Sequence, residues 1–162
     1  MSNWRDWPTG FTLCTEPDFA HYFPRLRPEH CVGDLSDATR KYNCFAWAAS
    51  VDTDRWDPDP FFQYFWPDSV PRDDTRDAFV LAFGSLGYQV CGNGDLEVGV
   101  EKIALYCLNG KPVHAARQLE NGHWTTKFGD FEDVEHIDLE CLFGPEYGDK
   151  LVYMKRARMV VE

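Results

Sequence analysis

No run in the chain approaches the roughly 18 apolar residues that a membrane-spanning helix needs. The start, Met1-Ser2-Asn3-Trp4-Arg5-Asp6-Trp7-Pro8, lacks the charged-then-apolar order of an export signal. Together these absences lead to the expectation of a soluble, cytoplasmic protein with no membrane partner. Cations are scarce as well: 16 Lys and Arg face 27 acids, for a formal charge of −11. A phosphate backbone is held by clustered Lys and Arg that displace counterions, so a nucleic-acid partner is not expected. The six cysteines, Cys14, Cys31, Cys44, Cys91, Cys107 and Cys141, include no C-x-x-C pair. Their scatter reads as free thiols rather than a disulfide frame, and it points to no cofactor. One metal site stays open as a rival, built from His30, Cys31, Cys44 or His114. No internal repeat, low-complexity run or long linker divides the chain.

What is present is apolar and aromatic. With 44% hydrophobic and 15% aromatic residues, 162 residues suffice for one domain with a real core. Over residues 1–37, Pro8, Pro17, Pro24 and Pro28 come too close together for long helices, while Trp4, Trp7, Phe11, Phe19, Tyr22 and Phe23 are costly to leave in water. The expectation is an ordered but irregular N-terminal wrap on a domain over 38–162. Asp73, Asp74 and Thr75 cap an amphipathic helix with Ala78, Phe79, Ala82, Phe83 and Leu86 at helical spacing and Gly87 as its stop. Residues 102–108, 112–119 and 123–128 read as three strands joined by turns at Asn109-Gly110 and Asn121-Gly122. A strand candidate over 88–91 precedes these, and a helical turn around 138–142 and a last strand over 150–155 follow. The order gives an α+β fold, with a cysteine helix and a second helix packed on an antiparallel β-meander.

Cys44 is the candidate nucleophile. It opens a short helix-prone run, Cys44-Phe45-Ala46-Trp47-Ala48, where unpaired backbone N–H groups favour thiolate. The plainer alternative is a small buried core residue, the commoner fate of a free cysteine. His114 shifts that balance, because it lies near the start of a strand beside the small residues Ala115 and Ala116. An imidazole facing the thiol takes its proton and later protonates the leaving group. His21 and His30 sit in the wrap, His123 at a hairpin tip and His136 in an acidic segment, all less well placed.

The blocks Asn43-Cys44-Phe45-Ala46-Trp47-Ala48, Val113-His114-Ala115-Ala116-Arg117-Gln118 and Trp124-Thr125-Thr126-Lys127-Phe128-Gly129, with Glu135-His136, resemble an uncharacterised bacterial family that carries N-C-x-A-W-A, H-A-A-R and W-T-S-K-x-G blocks. The likeness covers about residues 40 to 155 and implies no activity. More distantly, a helix-start cysteine with histidine on the second meander strand is similar to papain-like cysteine hydrolases of the NlpC/P60 and CHAP type. That likeness implies a papain-like layout, a thiol peptidase or amidase activity, a peptide or protein substrate, and a third residue on the next strand that orients the imidazole.

Which residue that is depends on register, since a one-residue slip flips every side chain. A two-residue loop at Asn121-Gly122 puts Thr125 and Lys127 on the His114 face; a three- or five-residue loop puts Thr126, Phe128 and Asp130 there. The second is preferred, because Trp124, Thr126 and Phe128 are the more apolar set, and Thr126 or Asp130 then orients His114. A threonine fixes a tautomer but cannot stabilise imidazolium as a carboxylate does. Asp130, Glu132, Asp133 and Glu135 otherwise read as a solvated acidic loop. Tyr42 and Asn43 flank the nucleophile as substrate contacts, or serve as packing and helix cap. Residues 61–66, Phe-Phe-Gln-Tyr-Phe-Trp, lie between acidic, proline-punctuated flanks; they either line a substrate cleft, with Trp66 as the contact, or plug the core. The expected function is a thiol-dependent hydrolase or acyltransferase. The rival is a non-catalytic acidic module of immunity type that binds a basic protein partner.

Overall fold

Asn109 and Gly110, at φ of 54° and 80°, supply the two left-handed residues that a tight hairpin turn requires, and they pair the long strands on either side. Around that hairpin the computed structural model, which describes residues 4–7 and 16–158, builds one sheet. Its elements in chain order are β1 (Cys31–Ser36), α1 (Cys44–Ala48), α2 (Arg76–Gly84), β2 (Gln89–Cys91), β3 (Val100–Leu108), β4 (Lys111–Gln118), β5 (Trp124–Lys127), β6 (Asp133–His136) and β7 (Lys150–Ala157). The seven strands run in the order β1-β6-β5-β4-β3-β7-β2, every neighbour antiparallel. The expectations for Pro8, Phe11 and Cys14 lie outside the described residues.

The expected α+β, papain-like layout with N-terminal helices on a meander is therefore corrected. The fold is a seven-stranded antiparallel sheet with two short helices, of five and nine residues. Two strands were hidden from sequence reading. β1 lies in the stretch taken as an irregular wrap, and β6 lies in the acidic segment, where charge content masks a period-two pattern. They pair with each other and extend the meander by two strands. The reading of all six cysteines as free thiols also changes: Cys31 is disulfide-bonded, while Cys44, Cys91, Cys107 and Cys141 are free.

Both faces of the sheet are covered, so β3 is apolar without alternation from Ile103 to Leu108. Ala104 and Tyr106 face a cluster with Trp4, Phe19, Phe23, Phe128, Phe131, Leu142 and Tyr147. Ile103 and Leu105 face the other, formed with Ala46, Ala48, Trp56, Trp66, Phe79, Phe83 and Met154. Trp4 is fully buried, with its ring edge-on to Phe19 at 5.4 Å and to Phe128 at 6.2 Å. The aromatic start of the chain thus seals one face of the sheet and both helices seal the other. No helix among the described residues is long and apolar enough to cross a membrane.

Helix α2 follows its sequence signals. Thr75 caps it by accepting from the Ala78 N–H at 3.2 Å, and Phe79, Ala82 and Phe83 are buried. The Thr75→Ala variant should lose about 1 kcal/mol in urea denaturation, since only one helix-end donor loses its partner.

Candidate functional site

Three residues, with Gly122 at φ 89°, close the β4–β5 hairpin inside the Leu119 N–H to His123 carbonyl bond of 2.7 Å. The register pairs Arg117 with Thr125 and Gln118 with Trp124. Thr126 and Phe128 therefore share a face with His114. His114 Nε2 lies 3.3 Å from Thr126 Oγ1, and its ring lies parallel to Phe128 at 6.3 Å. Tyr147 stacks flat on the imidazole at 3.9 Å. Gly148 permits this approach: at φ 75° its position would put a Cβ 2.4 Å from the Cys107 carbonyl oxygen, so the loop can lie directly against β3 only with glycine there.

The hydrogen bonds around Thr126 have a forced direction. His136 Nδ1 is 2.7 Å from the Asp138 carbonyl, which can only accept, so Nδ1 carries the proton. Burial lowers His136 to about 4, so the ring is neutral and its Nε2 accepts from Thr126 Oγ1 at 2.8 Å. Having donated its only proton, Thr126 must accept from His114 Nε2–H. Burial also holds His114 well below the ordinary histidine range, with the neighbouring His136 adding to the effect. The Nδ1 of His114 is then a lone pair with no partner among the described residues. The ring is 1% exposed.

Cys44 begins α1. Asn43 caps that helix by accepting from Ala46 N–H at 3.1 Å, while Asn43 Nδ2 donates to the Trp56 carbonyl at 2.7 Å and Asn43 Oδ1 accepts from the Trp56 N–H at 3.1 Å. The β4–β5 ladder ends at the Arg117–Thr125 pair, and α1 packs against both strands beside that end. Burial pushes the Cys44 thiol up to about 11; the backbone N–H groups of Ala115 and Phe45 oppose this, and Lys127 adds a weaker pull the same way. None of these contacts closes to a full hydrogen bond, and α1 is too short to supply much dipole. Desolvation outweighs the helix-start effect that the sequence suggested. No hydrogen bond joins Cys44 to His114 among the described residues: the imidazole lies with Phe128 and Tyr147 on one face of the sheet, whereas α1 packs on the other with Ala115, the residue after His114, whose N–H points at the sulfur.

The face of β5 opposite His114 carries a second polar cluster. Lys127 and Asp133 are cross-strand partners, and both are fully buried. Lys127 Nζ donates to the carbonyls of Thr39 at 2.8 Å and Gly129 at 2.6 Å, and lies 5.4 Å from the Tyr42 ring centre. Asp133 accepts from Tyr42 Oη at 2.9 Å and from Ser36 Oγ. Burial lowers Lys127 to about 8 and raises Asp133 to about 6. Sequence reading had Asp133 in a solvated loop and placed Lys127 only as a member of the His114 face in the register that was not preferred. The available signal was Lys127 standing as the single charge in the short strand Trp124–Lys127.

The remaining expected site residues have structural partners. Asp130 pairs with Arg40 and Arg55, each at 3.2 Å, rather than with His114. Tyr42 and Asn43 are buried in the bonds just described. Trp66 is buried against Phe79 at 5.0 Å and donates to the Pro71 carbonyl at 3.0 Å, so it plugs the core. Among the described residues no group of three His, Cys, Asp or Glu side chains could hold a metal, which removes the assembly of His30, Cys31, Cys44 and His114. Sequence reasoning missed Tyr147 and the His136 end of the relay; the Glu135-His136 block was their only trace.

Residues 34–155 match a family described as a domain of unknown function (DUF7689). No curated protein and no solved structure matches the chain.

Proposed function

This chain belongs to the DUF7689 family, and we propose that it is a thiol-dependent hydrolase or acyltransferase for an amide or related acyl bond, with Cys44 as nucleophile and His114 as base and then acid. The observation that carries this reading is the directed relay from Asp138 through His136 and Thr126, which leaves the Nδ1 lone pair of His114 unclaimed one residue before the N–H that points at the sulfur. At neutral pH thiol and imidazole are both uncharged, so no thiolate waits in the resting state. The proton passes from sulfur to Nδ1 as sulfur attacks the acyl carbon, and Nδ1–H then protonates the departing amine. Water, giving a proton to Nδ1, cleaves the thioester and restores the thiol; an amine in its place gives transfer. Thr126 keeps the ring oriented throughout.

The test is alkylation by dilute iodoacetamide at pH 7, read by peptide mass spectrometry. Cys44 should react faster than Cys91, Cys107 and Cys141, and His114→Gln should slow it about 100-fold, the size of a lost general base. Cys44 reacting no faster than the buried Cys107 and Cys141 in the unmodified protein overturns the proposal, and that result needs no variant. The thiol held near 11 favours a second reading, a non-catalytic acidic module of immunity type. It requires that a Cys44→Ala protein keep its full biological effect.

A further inference from the structure

The segment from Asp52 to Asp77 carries eight Asp and three Arg, and of its aromatic centre only Trp66 plugs the core. Phe61 is 80% exposed, Phe62 75%, Phe65 48% and Tyr64 40%. Adjacent exposed aromatics of this kind mark an interaction surface rather than the scattered apolar residues of an ordinary exterior. The loop is also built rather than slack. The Asp59 carboxylate accepts the N–H of Gln63 at 2.9 Å and of Tyr64 at 3.2 Å, and Arg72 Nη1 at 3.1 Å; Arg72 Nη2 donates to the Tyr64 carbonyl at 3.1 Å. Phe62 sits at φ 56°, a conformation that a bulky side chain adopts only when its surroundings impose it. The root of the loop is fixed at Trp56, which Asn43 grips with two hydrogen bonds. Its rings are thus held outward next to the helix that carries Cys44.

We propose that this ridge docks a Lys- and Arg-rich polypeptide segment. The rings already take cations: the Arg72 guanidinium lies 4.2 Å from the Phe62 ring centre and that of Arg55 lies 5.5 Å from the Tyr64 ring centre. Both arginines are held by carboxylates of this chain, Asp59 and Asp130, so they are not open to an acidic partner. Exposed Asp52, Asp54 and Asp68 have no ion-pair partner among the described residues, and the whole chain is strongly acidic. Aromatic faces beside unpaired carboxylates suit a flexible cationic side chain, whose stem covers the ring while its head meets the carboxylate. This docking stands on the loop alone and goes beyond the thiol chemistry, since it requires no turnover.

Binding is measured on the full chain carrying Cys44→Ala, by fluorescence anisotropy of a labelled ten-residue Lys/Arg peptide, with a Glu/Asp peptide as control. The basic peptide should bind and the acidic one should not. Phe61→Ser with Phe62→Ser removes exposed rings without changing charge, and should weaken binding about tenfold or more, as loss of aromatic anchors does. Equal binding by that variant would reduce the interaction to diffuse charge attraction and overturn the proposal. So would self-association of the chain that the same two substitutions abolish, or ridge-dependent binding to uncharged phosphatidylcholine vesicles with no affinity for the basic peptide. Far-ultraviolet circular dichroism on the variant confirms that the fold is kept, and Tyr64→Ser provides an independent anchor removal with the same expected direction.

Discussion

Replacing Lys127 with Met should cost about 3–5 kcal/mol of stability at pH 7.5, the range for removing one member of a buried charged set. Methionine matches the length of the lysine stem but withdraws the donors that satisfy the carbonyls of Thr39 and Gly129. It also removes the positive charge that opposes the desolvation of Asp133, whose Oδ1 has no hydrogen-bond partner. The two charges are not in contact as an ion pair, so the coupling acts through space across the Tyr42 ring and its bond to the carboxylate. Two dependences separate this account from a simple packing loss. Below about pH 6 Asp133 takes up a proton in the folded protein, so the deficit of the Met variant should shrink at pH 5. Adding Asp133→Asn should recover part of the loss at pH 7.5, because no buried charge is then left behind. Urea midpoints of the single and double variants at both pH values measure this; a loss below about 1 kcal/mol at pH 7.5, the size of an ordinary surface effect, refutes the coupling.

The residues that were legible in the sequence are those whose signal is local. Asn109-Gly110 names its own turn through the left-handed conformations it tolerates, and Thr75 with the apolar spacing after it names α2. The register that places Thr126 beside His114 followed from asking which face of β5 is more apolar, and the hydrogen bond between them shows that face. What stayed hidden depends on distant partners. β1 and β6 make no sense as strands until they pair with each other, 97 residues apart at Ser36 and Asp133. A carboxylate in the sequence carries no mark of burial, so Asp133 looked like solvent-facing charge. For 61–65 the sequence left a cleft lining and a core plug both open, and the four rings lie outside the core. The assumption that hydrophobic residues go inside failed where Asp59 and Arg72 hold the loop away from the core. The papain-like layout was inferred from the order of a cysteine and a histidine, an order that says little about sheet size. Seven antiparallel strands replaced the expected balance of helix and sheet.

Acid should destabilise the folded chain well before its exposed carboxylates titrate, and the cause is the pair of neutral histidines. His136 falls from an ordinary value of 6.5 to about 4 through burial, and His114 is depressed in the same direction. Both gain their protons near pH 6.5 in the unfolded chain, but only at lower pH when folded. Between those limits the unfolded state binds more protons, so stability is full above about pH 6.5 and is lost as pH falls toward 4. Asp133 works the other way. Raised to about 6 by burial, it binds a proton in the folded state from pH 6 down to 3.8, where the unfolded carboxyl is still ionised. Two imidazoles against one carboxyl leave a net loss of about 1.4 kcal/mol per pH unit between pH 6.5 and pH 5. From pH 7 to pH 5 the expected fall is about 2–3 kcal/mol, measurable as a lower urea midpoint. His114→Phe keeps a flat ring against Tyr147 but cannot titrate, so one of the two opposing protons is removed and the acid loss over this range should largely vanish. If the parent protein is equally stable at pH 5 and pH 7, the folded chain admits protons to these rings. The directed bonds from His136 through Thr126 to His114 would then not hold, and the unclaimed Nδ1 on which the thiol mechanism depends would go with them.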